Sequence, residues 1–205
     1  MSKKYYFITS LLLVLTSCHK PDNRLSAFTK ISYPLAVGNW WQYQLASIGS
    51  ANDTFMLSVV SQTNAGVFVQ YNCNYIGNGI SSPAGYFLQS DTSLSYTNTS
   101  PDPYFVAFPN FHLKFPVQAG QYWAGSFPGD SILVDAVAPQ YSAYGHTYGP
   151  CFYTNENYNL PHNRKVETMI LTPKIGLIEQ NISFNSDTAG VQIQQSILLL
   201  NYHVQ

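Results

Sequence analysis

Charged side chains are scarce in this sequence of 205 residues. Only 9% of the residues are Asp, Glu, Lys or Arg, and the formal net charge is −1. Without a basic patch, the chain lacks the electrostatic footprint of a nucleic-acid-binding protein. Long exposed helices are also disfavoured, because their surfaces are usually rich in Glu and Lys. The 16 Tyr and 12 Phe residues instead favour β-structure, whose pleated surface suits aromatic side chains.

Recognisable catalytic and metal-binding motifs are missing as well. No HExxH or Cys–His zinc pattern occurs, and no two of the five histidines are spaced as a ligand pair on one helix or strand. The histidines are interpreted as surface or loop residues: His19, His112, His146, His162 and His203. No G-x-S-x-G nucleophile elbow is present. The sequence therefore predicts no metal and no cofactor.

Cysteine is rare, with three residues in the chain. Cys73 and Cys151 form an even pair once Cys18 is set aside, and a disulfide between them is plausible in an oxidising compartment. The alternative is two separately buried thiols, because the distance between them cannot be read from sequence. A reactive Cys151 activated by nearby His146 is disfavoured, since its neighbours are typical of a strand entering a core.

The first 17 residues have the organisation of an export signal. Lys3 and Lys4 precede an apolar stretch, residues 5–15, which is too short to span a bilayer, since ~20 residues are needed. The stretch ends in Leu15-Thr16-Ser17-Cys18, which resembles the lipobox of bacterial lipoproteins. This resemblance implies cleavage before Cys18 and attachment of lipid, including palmitate, to that cysteine. The alternative is an ordinary secretory signal with a coincidental cysteine.

Removing the signal leaves 188 residues, enough for one domain. Residues 18–30 lack apolar periodicity and are predicted to be a lipidated N-terminus with a flexible tether. Residues 31–205 are predicted to form a single all-β domain. Because Lys20 is not an aspartate, the sorting rule of enteric bacteria implies transfer to the outer membrane. The face of that membrane, periplasmic or external, stays open.

Alternating apolar and polar residues recur throughout the predicted domain. Trp41, Tyr43 and Leu45 share one face of the first strand, and Val166–Thr172 and Leu177–Phe184 flank a tight-turn sequence. The last strand changes phase between Ile193 and Leu198, which predicts a bulge. About a dozen short strands without helical periodicity predict an antiparallel sandwich or open half-barrel with few or no helices.

The adjacent tryptophans must point to opposite faces of a strand. Trp41 is predicted to be a core residue, whereas core and exposed positions are equally compatible with Trp40. An exposed Trp or Tyr can stack on a sugar ring or line a ligand groove. Trp40 and Trp123 are therefore the candidate ligand-contact aromatics.

Three segments resemble a family of Gram-negative lipoproteins. Residues 33–43 (YPLAVGNWWQY) look like its Y-P-L-x-x-G-N-x-W-x-Y opening, residues 148–152 loosely match a middle strand, and residues 173–179 (PKIGLIE) resemble its P-x-(I/V)-G-L hairpin. The final L-x-x-Y is matched by residues 199–202. The resemblance implies a curved antiparallel sheet, similar to the half-barrels of lipoprotein-carrier and outer-membrane assembly proteins. It implies two-sided packing for both tryptophans and no assigned activity.

The leading hypothesis is a non-catalytic binding or assembly module anchored in the cell envelope, with a glycan, lipid or protein ligand. A glycan hydrolase with two carboxylates is the enzymatic alternative. Its candidate residues in the second half of the chain are Asp130, Asp135, Glu156 and Glu167, of which the first two are expected to be solvated. A purely structural envelope scaffold is the third hypothesis. The geometry of a pocket would separate the three.

Overall fold

The computed structural model describes residues 33–47, 53–77, 80–99, 110–124, 130–160, 163–187 and 190–205. These residues form strands and turns, and the part described contains no helix. The predicted signal, Cys18 and tether lie outside them. The strands are β1 (Trp40–Ser47), β2 (Asp53–Ala65), β3 (Phe68–Gly77), β4 (Ile80–Gln89), β5 (Ser93–Asn98), β6 (Phe111–Lys114), β7 (Tyr122–Ala124), β8 (Asp130–Ala138), β9 (Tyr141–Ala143), β10 (His146–Tyr148), β11 (Cys151–Leu160), β12 (Asn163–Thr172), β13 (Gly176–Ser186) and β14 (Val191–His203).

Twelve of these strands form one antiparallel sheet. Its order is β6-β5-β4-β3-β2-β1-β14-β13-β12-β11-β8-β7. The chain starts in the middle at β1, pairs outward strand by strand to β6, and then crosses to β7 at the opposite end. From there it returns to the middle, where β14 pairs with β1. The predicted all-β class is confirmed, and the architecture is a curved, nearly closed sheet rather than a sandwich.

The two end strands of the sheet approach each other. The indole Nε1 of Trp123 on β7 donates to the backbone oxygen of His112 on β6, at 3.0 Å. Both end strands are short, with four residues in β6 and three in β7. This side-chain bond therefore connects the ends of the sheet and leaves the interior enclosed by a ring of strands.

The core fills the interior of the curved sheet, as the alternation along the strands requires. Trp41 and Tyr43 are fully buried, which confirms the face predicted for them. Tyr33, just before β1, lies across the interior and contacts Trp41, Phe87 and Phe111, with ring centroids 5.9, 5.3 and 6.5 Å away. A residue from outside the sheet thus completes the packing of three strands.

A small hairpin, β9–β10, forms a second layer on the outer face. Its Tyr141 contacts the ring of Tyr153 on β11 edge-to-face, with ring centroids 6.1 Å apart. Tyr141 also donates a hydrogen bond to Glu179 on the outer face of β13. Glu179 is paired in register with Leu198 on β14, so this second layer accounts for the burial of Leu198 on the outer face.

The predicted phase change in the last strand is wrong in position. The β13–β14 register runs without a shift from Val191 to Leu198. Leu198 is apolar although it lies on the outer face, because the β9–β10 hairpin covers it there. In the sequence its apolar character therefore resembles that of an inward residue. The bulge lies further on, where the β1–β14 register shifts and Leu200 is left between the partners Leu199 and Asn201. It widens the strand opposite Gln42 and Tyr43.

The turn between β12 and β13 is confirmed where the sequence predicts it, at residues 173–175. Gly176 follows with φ +109°, and a Cβ there would lie 2.5 Å from Cζ of Tyr33. The aromatic ring therefore requires glycine at this point. Pro83 and Gly85 lie within β4 beside a register shift opposite Cys73 and Asn74, and they do not end the strand.

Candidate functional site

A groove crosses the outer face of four adjacent strands, β1, β14, β13 and β12. Its volume is about 480 Å³, within the range of small-ligand sites. The register places Ala46 beside Ser196, Ser196 beside Asn181, and Asn181 beside Thr168, so one row of small outward side chains forms its floor. A second row contains Gln194, Ser183 and Val166. Because these side chains are short, the sheet itself is exposed there as a depression.

None of the residues that line this groove is charged. The lining consists of four hydroxyl side chains, three amide side chains and three aliphatic ones: Ala46, Ser47, Val166, Thr168, Asn181, Ile182, Ser183, Gln194, Gln195 and Ser196. The exposed surface inside it is mainly carbon. The groove therefore offers a floor of short, uncharged side chains with hydroxyl and amide groups for hydrogen bonding.

The β9–β10 hairpin is linked to the groove by a chain of hydrogen bonds. Tyr141 donates to one oxygen of Glu179, and the other oxygen accepts from Nδ2 of Asn181 at 2.8 Å. Burial, followed by the hydrogen bond to Glu179, raises the pKa of Tyr141, so this hydroxyl stays a donor in neutral solution. The amide of Asn181 is thereby held, with its oxygen available to the groove.

A second polar site lies inside the sheet, on β11, β12 and β13. Glu156 and Glu167 face each other in register, and both are buried, with 3% and 0% of their surfaces exposed. Glu167 accepts a hydrogen bond from Nε2 of Gln180, at 2.5 Å, and forms an ion pair with Lys165. Burial of a carboxylate is costly unless such partners are present. Sequence reasoning named both glutamates but could not show that the strand register brings them together.

Of the other carboxylates named from the sequence, Asp135 is exposed on β8, as expected for a solvated side chain, and Asp130 begins that strand. Within the described ranges, no three His, Cys, Asp or Glu side chains meet in a way that could hold a metal. His112 and His146 lie on β6 and β10, whereas His19 and His162 fall outside the described residues. Burial, reinforced by nearby Lys114, lowers the pKa of His112.

The two candidate ligand-contact tryptophans have different surroundings. Trp123 is 4% exposed and its indole Nε1 donates to the backbone oxygen of His112, so it is a core residue. Trp40 is half-buried on the outer face and stacks on His203, with ring centroids 6.3 Å apart. It lies outside the groove lining.

Cys73 and Cys151 are free thiols in the structure, which shows the second alternative rather than the disulfide. Cys73 lies on β3 inside the sheet and Cys151 begins β11, with five other strands between β3 and β11 in the sheet order. Burial raises the pKa of Cys73 to about 12 and that of Cys151 to about 11. Neither sulfur is a thiolate at neutral pH, so a nucleophilic role for Cys151 has no support.

Comparisons with known proteins identify the fold. A solved structure from Bacteroides fragilis, described as a "putative exported protein with YmcC-like fold", matches 85% of this chain and 99% of its own, with a TM-score of 0.51 and 11% identity. A second, described as a "putative lipoprotein" from Parabacteroides distasonis, has the same coverage, 9% identity and a TM-score of 0.44.

No protein-family model matches the sequence, and no curated protein does. The structural match shows that the chain shares its fold with the Bacteroides fragilis protein. Among the described residues, no helix is long and apolar enough to cross a membrane.

Proposed function

We propose that this chain is a lipid-anchored protein of the bacterial cell envelope, in which the curved sheet serves as a non-catalytic binding module. The groove across β1, β14, β13 and β12 is its ligand site. The observation that carries the proposal is the chemistry of this groove, which combines an open surface that is mainly carbon with uncharged hydroxyl and amide groups.

The anchor is supported by the basic start, the short apolar stretch and the lipobox-like sequence ending at Cys18. The shared fold with a protein described as exported agrees with this location. Lys20 favours the outer membrane as the destination. Two or three acyl chains on Cys18 would hold the domain stably at that surface.

A binding role is favoured over glycan hydrolysis by the burial of the paired carboxylates. A glycosidase needs both carboxyl groups in contact with the sugar and, in one of the two mechanisms, with a water molecule. Glu156 and Glu167 are 3% and 0% exposed and face the packed interior. No carboxylate is among the described residues that line the groove.

An uncharged saccharide is the ligand class that best fits the groove. A sugar ring has an apolar C–H face and a rim of hydroxyl groups, which match a groove whose surface is mainly carbon and whose polar groups are amides and hydroxyls. The lack of charged lining residues disfavours nucleotides and acidic peptides, which depend on charge-assisted hydrogen bonds.

Anchoring is tested by labelling cells with a radioactive or clickable palmitate and separating membranes. Wild-type protein should incorporate the label and sediment with the outer membrane. The Cys18→Ala variant should lose the label and remain uncleaved or soluble. Unchanged membrane partitioning of Cys18→Ala would reject the lipid anchor.

Binding is tested with residues 31–205, by titrating a panel of neutral oligosaccharides while recording heat or protein NMR shifts. Ser183→Tyr places a large ring in the groove, whereas Asn185→Tyr places the same ring on the same face of β13, outside the lining. Ser183→Tyr should reduce the affinity at least tenfold and Asn185→Tyr should leave it unchanged. Equal losses in both variants, or no binding by the wild type, would shift the assignment to a structural scaffold.

A further inference from the structure

The hairpin between β2 and β3 projects beyond the neighbouring strand. Trp40, the first residue of β1, pairs with Ser58, so residues 61–65 of β2 extend past the start of β1. Within the described strands, the register pairs these residues with β3 alone. All residues from 60 to 67 are exposed. The end of the hairpin therefore presents both of its faces to the surroundings.

This hairpin lacks the side chains that usually protect projecting strands. Exposed strands of soluble proteins commonly carry charged residues, above all lysine, or proline. Residues 54–90, which include the whole hairpin, contain no Asp, Glu, Lys, Arg or His, and residues 60–70 contain no Pro. Val67 in the turn is 81% exposed, and Val60 is 44% exposed. The hairpin thus combines an uncharged surface with exposed aliphatic side chains.

Further apolar side chains are accessible at the same end of the strands. Val37 is exposed in the turn that precedes β1 and is hydrogen-bonded to β2. Tyr202 is exposed near the end of β14, and Trp40 is half-buried on the outer face beside it. Trp and Tyr are enriched where proteins meet the headgroup region of a membrane. We call residues 60–67, Val37, Trp40 and Tyr202 the apolar rim.

Charged residues border the apolar rim without belonging to it. Asp91, Lys114 and Lys174 are exposed around the same end of the sheet, between β4 and β5, at the end of β6, and between β12 and β13. Lysines near a membrane surface are attracted to anionic headgroups. The rim therefore has an uncharged surface with two lysines and one aspartate beside it.

The chain enters the sheet at the end that carries the apolar rim. The hydroxyl of Tyr33, with which the described part of the chain begins, accepts from the nitrogen of Leu177 at the start of β13, at 3.1 Å. The segment from Cys18 to Tyr33 reaches at most about 50 Å even when fully extended. Strand β2 has 13 residues and is about 40 Å long. If the opposite end of the sheet faced the membrane, nearly the whole segment would have to run along the strands.

We propose that the apolar rim lies in the headgroup region of the membrane, with the turn of the β2–β3 hairpin inserted into the lipid surface. This inference rests on the proposed lipid anchor and goes beyond it, because it states which end of the sheet contacts lipid. The anchor brings a lipid surface to the rim, and an uncharged apolar surface can enter that interface without burying a charge. The groove, which includes Ala46 and Ser47 at the end of β1, is then held away from the membrane.

The orientation is tested with lipidated protein reconstituted into vesicles of phosphatidylethanolamine and phosphatidylglycerol. A nitroxide spin label is attached to Val67→Cys at the rim or to Asp187→Cys at the opposite end. Cys73 and Cys151 are buried and do not compete for the label. Accessibility to oxygen, which concentrates in the bilayer, is compared with accessibility to a water-soluble nickel complex. The ratio of oxygen to nickel accessibility should be at least threefold higher at position 67 than at position 187.

Val60→Asp and Ile193→Asp form a matched pair of variants. Both side chains are 44% exposed, and they lie at opposite ends of the sheet. With the label at position 67, Val60→Asp places a charge in the rim and should lower the accessibility ratio at least twofold. Ile193→Asp should leave the ratio unchanged.

The outcomes separate this inference from the anchor. A protein that does not associate with the vesicles would overturn both. A vesicle-bound protein with equal ratios at positions 67 and 187 would overturn the orientation alone, as would equal effects of Val60→Asp and Ile193→Asp. Spin–spin broadening at position 67 that disappears on dilution with unlabelled protein would assign the rim to contact with a second copy of the chain and would also overturn the proposal.

Discussion

The two halves of the interior have different chemistry. Strands β1 to β6 line one half of the interior mainly with aromatic rings: Trp41, Tyr43, Phe55, Tyr75, Phe87, Tyr96 and Phe111. Neighbouring rings are close, with centroids 5.4 Å apart for Tyr43 and Phe55 and 4.8 Å for Phe87 and Tyr96. Tilted and offset contacts of this kind add stability beyond the buried area.

Strands β8 and β11 to β14 line the other half mainly with aliphatic side chains, together with Phe152 and a polar cluster. The aliphatic part is Ile132, Val134, Met169, Leu171, Leu177 and Ile197. Glu156 and Glu167 are embedded beside it. Fully satisfied buried networks can favour one arrangement of the chain, although an apolar replacement is often as stable.

The comparison shows how the halves are held together. The polar atoms of rings in the aromatic half form hydrogen bonds with the backbone of the other half. Trp41 donates to the oxygen of Ile175 at 2.5 Å, Tyr43 donates to the oxygen of Leu177 at 3.2 Å, and the hydroxyl of Tyr33 accepts from the nitrogen of Leu177 at 3.1 Å. The turn between β12 and β13, together with its flanking residues (173–177), therefore connects the two halves, and we call this segment the joint. Substitutions in each half and at the joint should have separable effects.

Trp41→Ala should have the largest effect, because it removes a fully buried ring and its bond to Ile175. We expect a loss of about 3–5 kcal/mol in unfolding free energy, measured by chemical denaturation. Trp40→Ala is the control, since Trp40 is only half-buried on the other face of β1. Its loss should be less than half as large, and equal losses would contradict the assignment of Trp41 to the core.

Lys165→Met should come next, at about 3 kcal/mol, because it leaves Glu167 buried without its ion pair. The double variant Lys165→Met/Glu167→Gln should recover most of this loss, since Glu167 no longer carries a charge without its ion pair. If the double variant is no more stable than the single one, the polar half does not depend on charge balance.

Gly176→Ala tests the joint itself. The added methyl group would lie 2.5 Å from the ring of Tyr33, and φ is +109°. We expect a loss of about 2 kcal/mol from crowding and backbone strain. Gly66→Ala has a positive φ of +66° but open space around it, so denaturation should show a loss of only about 1 kcal/mol.

Alkaline pH should weaken the aromatic half through Cys73. Burial raises its pKa from 9.0 to about 12. The unfolded thiol loses its proton above about pH 9 while the folded thiol keeps it. Stability should thus be complete below pH 9 and fall as pH rises toward 12, by at most about 1.4 kcal/mol per pH unit for this group. Cys73→Ala should give a flatter profile of unfolding free energy between pH 8 and 11, and an unchanged slope would contradict the role of the thiol.

Local patterns in the sequence predicted much of the sheet, and longer-range features escaped them. The alternation at Trp41 and Tyr43 and the turn before Gly176 depend on neighbouring residues, so they were predictable. The burial of Leu198 depends on a hairpin about fifty residues away, which made its periodicity misleading.

The candidate sites depend on strand pairing, which the sequence does not display. Glu156 and Glu167 meet through the register of β11 and β12, and the groove needs the distant strands β1 and β14 to be neighbours. The contact of Trp123 with His112 could not be predicted for the same reason, because the closeness of the end strands is a property of the whole sheet.

The pairing of β1 with β14 also sets the order in which the molecule can be completed. Residues 40–47 must wait for residues 195–203, at the far end of the chain, before their second ladder can form. Pairings of such long sequence separation slow folding, so the edge of β1 that faces β14 stays open until residues 195–203 are in place. An open strand edge can pair with a strand of another chain, and closing the ladder between β1 and β14 removes that edge from the folded molecule.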